Sequence, residues 1–162
     1  MIKTVMTSLK LTDQARALTF ICKNEGFNGH AYDDATGLRV KAPVGALTIG
    51  YGTNLESGLS IPEAQAIALN RLCEAEVMCL AAFKFFPQLS VIRKIVMLDL
   101  AYNLGMPKLQ SFKTFLQLMA KGDFPHAADD LAETAWSGEV HQRAVLDVGM
   151  LRTNNWIGAI PE

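Results

Sequence analysis

The chain has 162 residues, of which 50% are hydrophobic and 19% are charged, and its formal net charge is −1. This composition is typical of a folded globular protein and excludes disordered and collagen-like chains. The near-neutral charge also argues against a nucleic-acid partner, which would favour a basic surface. We therefore expect one domain that acts as a monomer.

Neither membrane insertion nor export by a leader is predicted. Charged residues interrupt the most hydrophobic stretch, residues 77–104, so it falls short of a membrane span. Residues 1–11 lack an apolar core long enough for a signal peptide. We expect synthesis in a cytoplasm, with a separate exit route for any work outside it.

The first predicted element is a helix over residues 12–24. Ala15, Leu18 and Cys22 recur at intervals of four and three residues, which is the spacing of one apolar helix face. The same stripe continues to Glu25, and Gly26 then ends the helix. A carboxylate therefore lies on the face that we expect to be buried.

A small antiparallel sheet is predicted for residues 27–54, which are rich in Gly, Thr, Tyr and Val. Turn clusters separate three short strand candidates, and these are residues 30–32, 38–40 and 46–49. Strands this short do not make a sheet that is stable alone.

Helices are predicted for the remainder of the chain. Ser60 and Glu63 have the spacing of a capping box, and the run from residue 63 to residue 86 contains no Pro or Gly before Pro87. A helix of that length measures roughly 35 Å and can join two lobes. Three or four shorter helices follow, at residues 90–104, 111–121, 123–137 and 139–152. Gly105 and Pro107 close the first of them, Gly122 the second and Gly138 the third.

The predicted fold class is therefore α+β, with a small antiparallel sheet and a helical bundle. We divide the single domain, residues 1–162, into a small β lobe, a helical lobe and a connecting helix. The β lobe covers about residues 26–59, the helical lobe residues 1–25 and 88–162, and the connecting helix residues 60–87.

Common cofactor and metal sites are not indicated by the sequence. Cys22, Cys73 and Cys79 lack Cys-x-x-Cys spacing, so we interpret them as free thiols. The three histidines are scattered without metal-ligand spacing. The glycine-rich run at 45–52 lacks the context of a nucleotide-binding loop. We expect neither a metal nor a cofactor.

Carboxylic acids are the residues best suited to catalysis here. Burial of Glu25 would favour its protonated form, which can donate a proton to a leaving oxygen. Asp33 and Asp34 lie in a predicted open turn, where an ionised carboxylate can activate water. Two carboxyl groups in contrasting environments are what glycoside hydrolysis needs. Each residue alone also suits a structural role, in an ion pair at a helix end or in a turn.

Three segments together match one known family. Glu25-Gly26 is followed by Ala-Tyr-Asp-Asp at 31–34 and by Thr-Ile-Gly-Tyr-Gly at 48–52. This pattern resembles the active-site region of phage-type lysozymes, the glycoside hydrolase family of the T-even phage lysozyme. In that family a glutamate is followed after eight residues by an aspartate, and then by the threonine of a Thr-Ile-Gly-x-Gly strand. Later segments at 101–105, 112–120 and 136–144 also look like family helices.

The resemblance implies catalytic roles and a lysozyme-like fold. Glu25 is the general acid, Asp34 positions or activates the hydrolytic water, and Thr48 completes the water site. Arg143 matches an arginine that supports the catalytic glutamate across the lobes. A solvated helix charge is the structural alternative for Arg143.

Substrate-binding residues are implied in the same way. Tyr102 and Asn103 match residues that line the sugar cleft, and Asn54 is a further candidate for sugar contact. Tyr102 would otherwise be a core aromatic, and Asn54 would otherwise serve a strand-end turn. The sequence departs from the family in a lengthened step at residues 38–47, just before Thr48, and in its near-neutral charge.

By this resemblance the protein is a peptidoglycan hydrolase that cleaves the β-1,4 bond between N-acetylmuramic acid and N-acetylglucosamine. Inversion is expected if the carboxyl groups stand roughly 6.5 to 9.5 Å apart. The partner is the glycan strand of periplasmic peptidoglycan, and an endolysin would need a holin to reach it. A virion-borne or bacteriocin lysozyme would have a similar sequence.

Two other functions stay open. A lytic transglycosylase needs the glutamate but no water-activating carboxylate, so Asp34 and Thr48 argue against it. An inactive peptidoglycan-binding or immunity module could keep the same fold, although the intact set of Glu25, Asp34 and Thr48 argues against that as well.

Overall fold

The structure is a computed structural model that describes residues 8–33, 36–40, 45, 47–49 and 53–157. Helices dominate, and a two-stranded antiparallel sheet accompanies them, which confirms the predicted α+β, lysozyme-like fold. The helices are α1 (Leu11–Glu25), α2 (Ile61–Ala82), α3 (Val91–Leu104), α4 (Met106–Ser111), α5 (Lys113–Lys121), α6 (Phe124–Ala132), α7 (Ala135–Val140) and α8 (Gln142–Thr153).

Helix α1 has the predicted extent but a different buried face. The residues that face the core are Gln14, Ala17, Phe20 and Ile21, whereas Ala15 is exposed. The predicted apolar face therefore lies at the border of the core. The spacing of the apolar residues allows either of two adjacent helix faces to be the buried one. Glu25 ends the helix on this border and keeps 37% of its side chain exposed, so the expectation of a buried Glu25 is wrong.

The sheet is smaller than predicted. Strands β1 (Thr48–Ile49) and β2 (Thr53–Asn54) pair antiparallel, with Thr48 opposite Asn54. The predicted strands at 30–32 and 38–40 are wrong, since a single bridge between Tyr32 and Arg39 joins these segments. Most side chains here stay exposed, so little apolar burial favours longer pairing. Residues 41–44 and Ala46 of the lengthened segment lie outside the described residues.

Helix α2 begins at the predicted capping box. The Ser60 hydroxyl accepts the Glu63 backbone N–H, and the Glu63 carboxylate accepts the Ser60 N–H at 2.8 Å. The helix ends at Ala82, short of the predicted Phe86. Phe83 leaves the helix and, like Phe86, is buried in the core; a 3-10 turn (Phe86–Gln88) then carries Pro87.

The later helices are shorter and more numerous than predicted. Helix α3 agrees with the prediction, with Ser90 as its N-cap. Pro107 lies in the first turn of α4 and does not close the preceding helix, because proline suits a helix start. The predicted helix at 123–137 is two helices, since the Thr134 hydroxyl caps a new one. Gly138 lies inside α7 and does not end a helix.

The hydrophobic core lies among the helices, with α3 at its centre. Ile95, Val96, Met97 and Leu98 on α3 are completely buried, whereas β1 and β2 are exposed. Helices α1, α2, α4 and α8 pack around α3. Within the described part of the chain, no helix is long and apolar enough to cross a membrane. The division into two lobes stays a prediction.

Candidate active site

A buried arginine holds the carboxyl group of Glu25. Arg143, near the start of α8, donates from Nη1 to Glu25 Oε1 at 2.6 Å. The arginine side chain is only 8% exposed, whereas that of Glu25 is 37% exposed. Arg143 is therefore not a solvated helix charge. The contact joins the end of α1 to α8 and fixes one oxygen of a carboxyl group that still meets solvent.

The plane of this guanidinium is set by Asp99 on α3. Arg143 donates from Nε to Asp99 Oδ2 at 2.8 Å and from Nη2 to Asp99 Oδ1 at 2.9 Å. Burial alone would lower the pKa of Arg143, but the hydrogen bonds and charge of Asp99, with those of Glu25, outweigh it and raise that pKa. The two-point contact leaves Nη1 directed at Glu25, because a guanidinium is planar and rigid.

A second buried aspartate lies beside this pair. Asp147 follows Arg143 by four residues on α8, and both Asp147 and Asp99 are completely inaccessible to solvent. Neither oxygen of Asp147 receives a hydrogen bond from another described residue. Burial raises the pKa of Asp147 well above its usual range, and the charge of Asp99 and a hydrogen bond to it add to the rise. Arg143 offsets part of this effect.

A cavity of about 260 Å³ opens beside Glu25. Helices α1, α2 and α3 and the segment after α1 provide its walls, which include Cys22, Phe27, Tyr32, Ile61 and Tyr102. Most of these residues are apolar or aromatic, which suits the faces of sugar rings. Glu25 is the carboxylic acid among the described lining residues, so a ligand in this cavity would meet its carboxyl group.

Tyr102 separates this cavity from a neighbouring one. It also lines a second cavity, of about 360 Å³, with Arg71, Glu74 and Met78. Burial raises the pKa of the Tyr102 phenol, and the negative charge of Glu25 adds to the rise. The ring is half-buried and borders open space, so Tyr102 is not simply a core aromatic.

The neighbouring Asn103 is oriented from α7. Its Oδ1 accepts a hydrogen bond from Nε1 of the buried Trp136 at 2.8 Å. This contact fixes which end of the amide faces away from α7. The side chain is otherwise exposed, on the same α3 turn as Tyr102.

The segment between α1 and α2 contains the remaining candidate residues. Thr48 and Asn54 lie opposite each other in the sheet, and both are exposed. The Asn54 Oδ1 accepts the Glu56 backbone N–H at 2.8 Å, which is the strand-end turn considered above. Asp33 likewise accepts the Thr36 N–H in a turn. Asp34 lies outside the described residues.

Sequence reasoning missed Asp99 and Asp147. A signal for both was present, because Asp99 interrupts an apolar run and precedes Tyr102 and Asn103 by three and four residues. That spacing places it on their side of a helix. Asp147 follows Arg143 by four residues and so lies on the same side of α8. All three cysteines are thiols outside any disulfide, as predicted.

The fold is lysozyme-like, and comparison with known families identifies the class of protein. The sequence matches the family described as phage lysozyme over residues 22–152. That span exceeds half of the chain and includes every candidate site residue, so the chain belongs to the phage lysozyme family. It is accordingly a peptidoglycan hydrolase. A search among curated protein sequences finds no match to this chain.

Proposed function

We propose that this lysozyme hydrolyses the β-1,4 bond between N-acetylmuramic acid and N-acetylglucosamine, with Glu25 as the general acid. The contact between Arg143 and Glu25 carries the proposal. A buried arginine, itself fixed by Asp99, orients a carboxyl group at the wall of an aromatic-lined cavity. Such fixed orientation lets a general acid meet the leaving oxygen in the geometry that proton transfer needs.

The charge around Glu25 is compatible with an acid. Asp99 balances the positive charge of Arg143, so the hydrogen bond orients Glu25 without an uncompensated cation that would hold it ionised. Part of the Glu25 side chain contacts water in the free enzyme. A bound glycan would displace that water and favour the protonated acid at the moment when it is needed.

Asp34 and Thr48 are proposed to hold and activate the attacking water. The family resemblance supports these roles, and Thr48 lies in the exposed sheet where a side chain can reach substrate. A water between Asp34 and the sugar predicts inversion, and NMR of freshly released product would then show the α-anomer first. Tyr102, Asn103 and Asn54 are proposed as sugar contacts.

The test is lysis of outer-membrane-permeabilised Gram-negative cells by the wild type and Glu25→Gln, followed by mass analysis of the released muropeptides. Turbidity loss with the wild type only, together with hydrated reducing ends on muramic acid, supports the proposal. Anhydro ends would identify a lytic transglycosylase. Absence of lysis by either protein, with peptidoglycan binding retained, would identify an inactive binding module.

Biologically, we propose a monomeric endolysin that needs a holin to reach the periplasm. An active site built within one chain supports the monomer, since Glu25, Asp99 and Arg143 come from the same chain. Sedimentation analysis of the purified protein tests the monomeric state. The need for a holin is tested by expressing the protein in a host with and without a holin, and we expect lysis only when the holin is present.

A further inference from the structure

Among the described residues, the cluster next to Glu25 has three carboxyl groups and one cation. Glu25, Asp99 and Asp147 share one cation, Arg143. Two of these carboxyl groups, those of Asp99 and Asp147, are completely buried. Bringing two ionised carboxylates together in such a place is costly, because both lose hydration and they repel each other.

Hydrogen bonding points to which group carries a proton. Both oxygens of Asp99 accept hydrogen bonds from Arg143, which is the two-point geometry of a carboxylate paired with a guanidinium. Neither oxygen of Asp147 receives a hydrogen bond from another described side chain or backbone group. A protonated Asp147 removes this anomaly, since its O–H can donate to a remaining lone pair of Asp99.

Other charged groups near α8 have their own partners. On α6, Asp129 pairs with Arg152, and on α7, Glu139 pairs with Lys108. On α3, Arg93 donates to the Leu151 carbonyl oxygen and stacks on Phe124. From α1, Glu25 faces the cluster through Arg143. The charges that act on Asp147 are therefore those of Asp99 and Arg143.

We propose that Asp147 keeps its proton at neutral pH, donates it to Asp99, and is a positioning residue for Glu25. Asp147 fixes Asp99, Asp99 fixes the guanidinium of Arg143, and Arg143 orients Glu25. With Asp147 neutral, Asp99 and Arg143 form a balanced pair behind the acid. The catalytic part of this proposal rests on the proposed role of Glu25, whereas the protonation of Asp147 does not.

The protonation is tested without activity, by carbon NMR of protein labelled at the aspartate carboxyl groups. The signal that disappears in Asp147→Asn belongs to Asp147. We expect this signal to keep the chemical shift of a protonated acid at neutral pH. A signal that titrates in the acidic range, as for an ordinary aspartate, would overturn the proposal. Asp129→Asn, at an exposed ion pair, assigns the signal of a control aspartate.

Stability gives a second readout with a defined sign. A native-state proton on Asp147 is released on unfolding above about pH 4, the usual range of an aspartate, so its contribution to stability declines as pH rises. Asn has no such proton. The melting temperature of Asp147→Asn relative to wild type should therefore rise between acidic and neutral pH. Parallel pH profiles for the two proteins would contradict a retained proton.

Activity then tests the positioning role. Asn can donate its amide N–H to Asp99 in place of the acid proton, so Asp147→Asn should keep nearly wild-type kcat at neutral pH. Asp147→Leu is similar in size but offers no donor, and we expect kcat to fall about tenfold, with KM little changed, for a misplacement of this kind. Equal losses of kcat in the two variants would overturn the positioning role. If Asp147 proves unprotonated while Glu25→Gln is inactive, this proposal fails and the proposed function of Glu25 stands.

Discussion

Arg143 makes three directed hydrogen bonds, two to Asp99 and one to Glu25. Lysine keeps the charge but lacks the planar fork, so it cannot satisfy both carboxyl groups in the same geometry. We predict that Arg143→Lys lowers kcat for release of reducing ends by about 10- to 100-fold. Arg152→Lys, at an exposed pair on the same helix, is the control and should leave kcat unchanged. An unchanged kcat in Arg143→Lys would refute the orienting role.

Charge balance around Arg143 makes a prediction about pH. Asp99→Asn should be tested with Asp147→Asn, so that Asp147 cannot take over the negative charge. The uncompensated arginine would then favour the ionised form of Glu25, and the acid form would be lost at lower pH. We predict that the basic limb of the pH profile of kcat/KM moves to lower pH than in Asp147→Asn alone. A limb that stays in place, with circular dichroism showing a folded variant, would contradict this balance.

Residue types and spacing predict those features of the site that depend on nearby residues in the sequence, such as a carboxyl group at the end of α1. Glu25 was placed at a helix end, and the pairing with Arg143 followed from family resemblance. The buried partners Asp99 and Asp147 could not be assigned in the same way. Their importance depends on the packing of α3 against α8, which brings together residues that are 48 positions apart.

At the scale of elements, α2 begins with a capping box formed by Ser60 and Glu63. Ser60→Ala removes the acceptor for an N–H in the first turn, so we predict a loss of about 1 kcal/mol in the free energy of unfolding. Ser60→Asp keeps a capping oxygen and should retain most of that stability. Urea denaturation followed by circular dichroism measures both variants. Equal stabilities of the Ala and Asp variants would argue against the cap.

Local signals predicted the ends of α1 and α3, but not the end of α2, the bounds of the later helices or the strand lengths. The extent of α1 follows from local signals, but its buried face depends on what packs against it, so Phe20 and Ile21 face the core. Phe83 continues the apolar pattern of α2, yet it lies after the end of this helix and is buried in the core. The exposed Leu38 has strand-like neighbours but little to pack against. In each case tertiary burial decides between conformations that the local sequence permits.

At the scale of the whole molecule, residues from both ends of the chain meet at Glu25. The helical core holds α1, α3 and α8 together, and this packing assembles the acid, its arginine and the aspartate behind them. Glu25 also lines the cavity, together with the aromatic residues Phe27, Tyr32 and Tyr102. We therefore propose that this frame presents Glu25 as the proton donor for glycan hydrolysis.

The most direct test is the rate of reducing-end release from purified peptidoglycan by the wild type and Glu25→Gln, with the amount of bound protein measured in each reaction. Gln preserves size and can still bind Arg143 through its carbonyl oxygen, but it cannot donate the catalytic proton. We predict equal binding and a rate at least about 100-fold lower for Glu25→Gln. A variant that binds equally and releases reducing ends at a rate near that of the wild type would contradict the account.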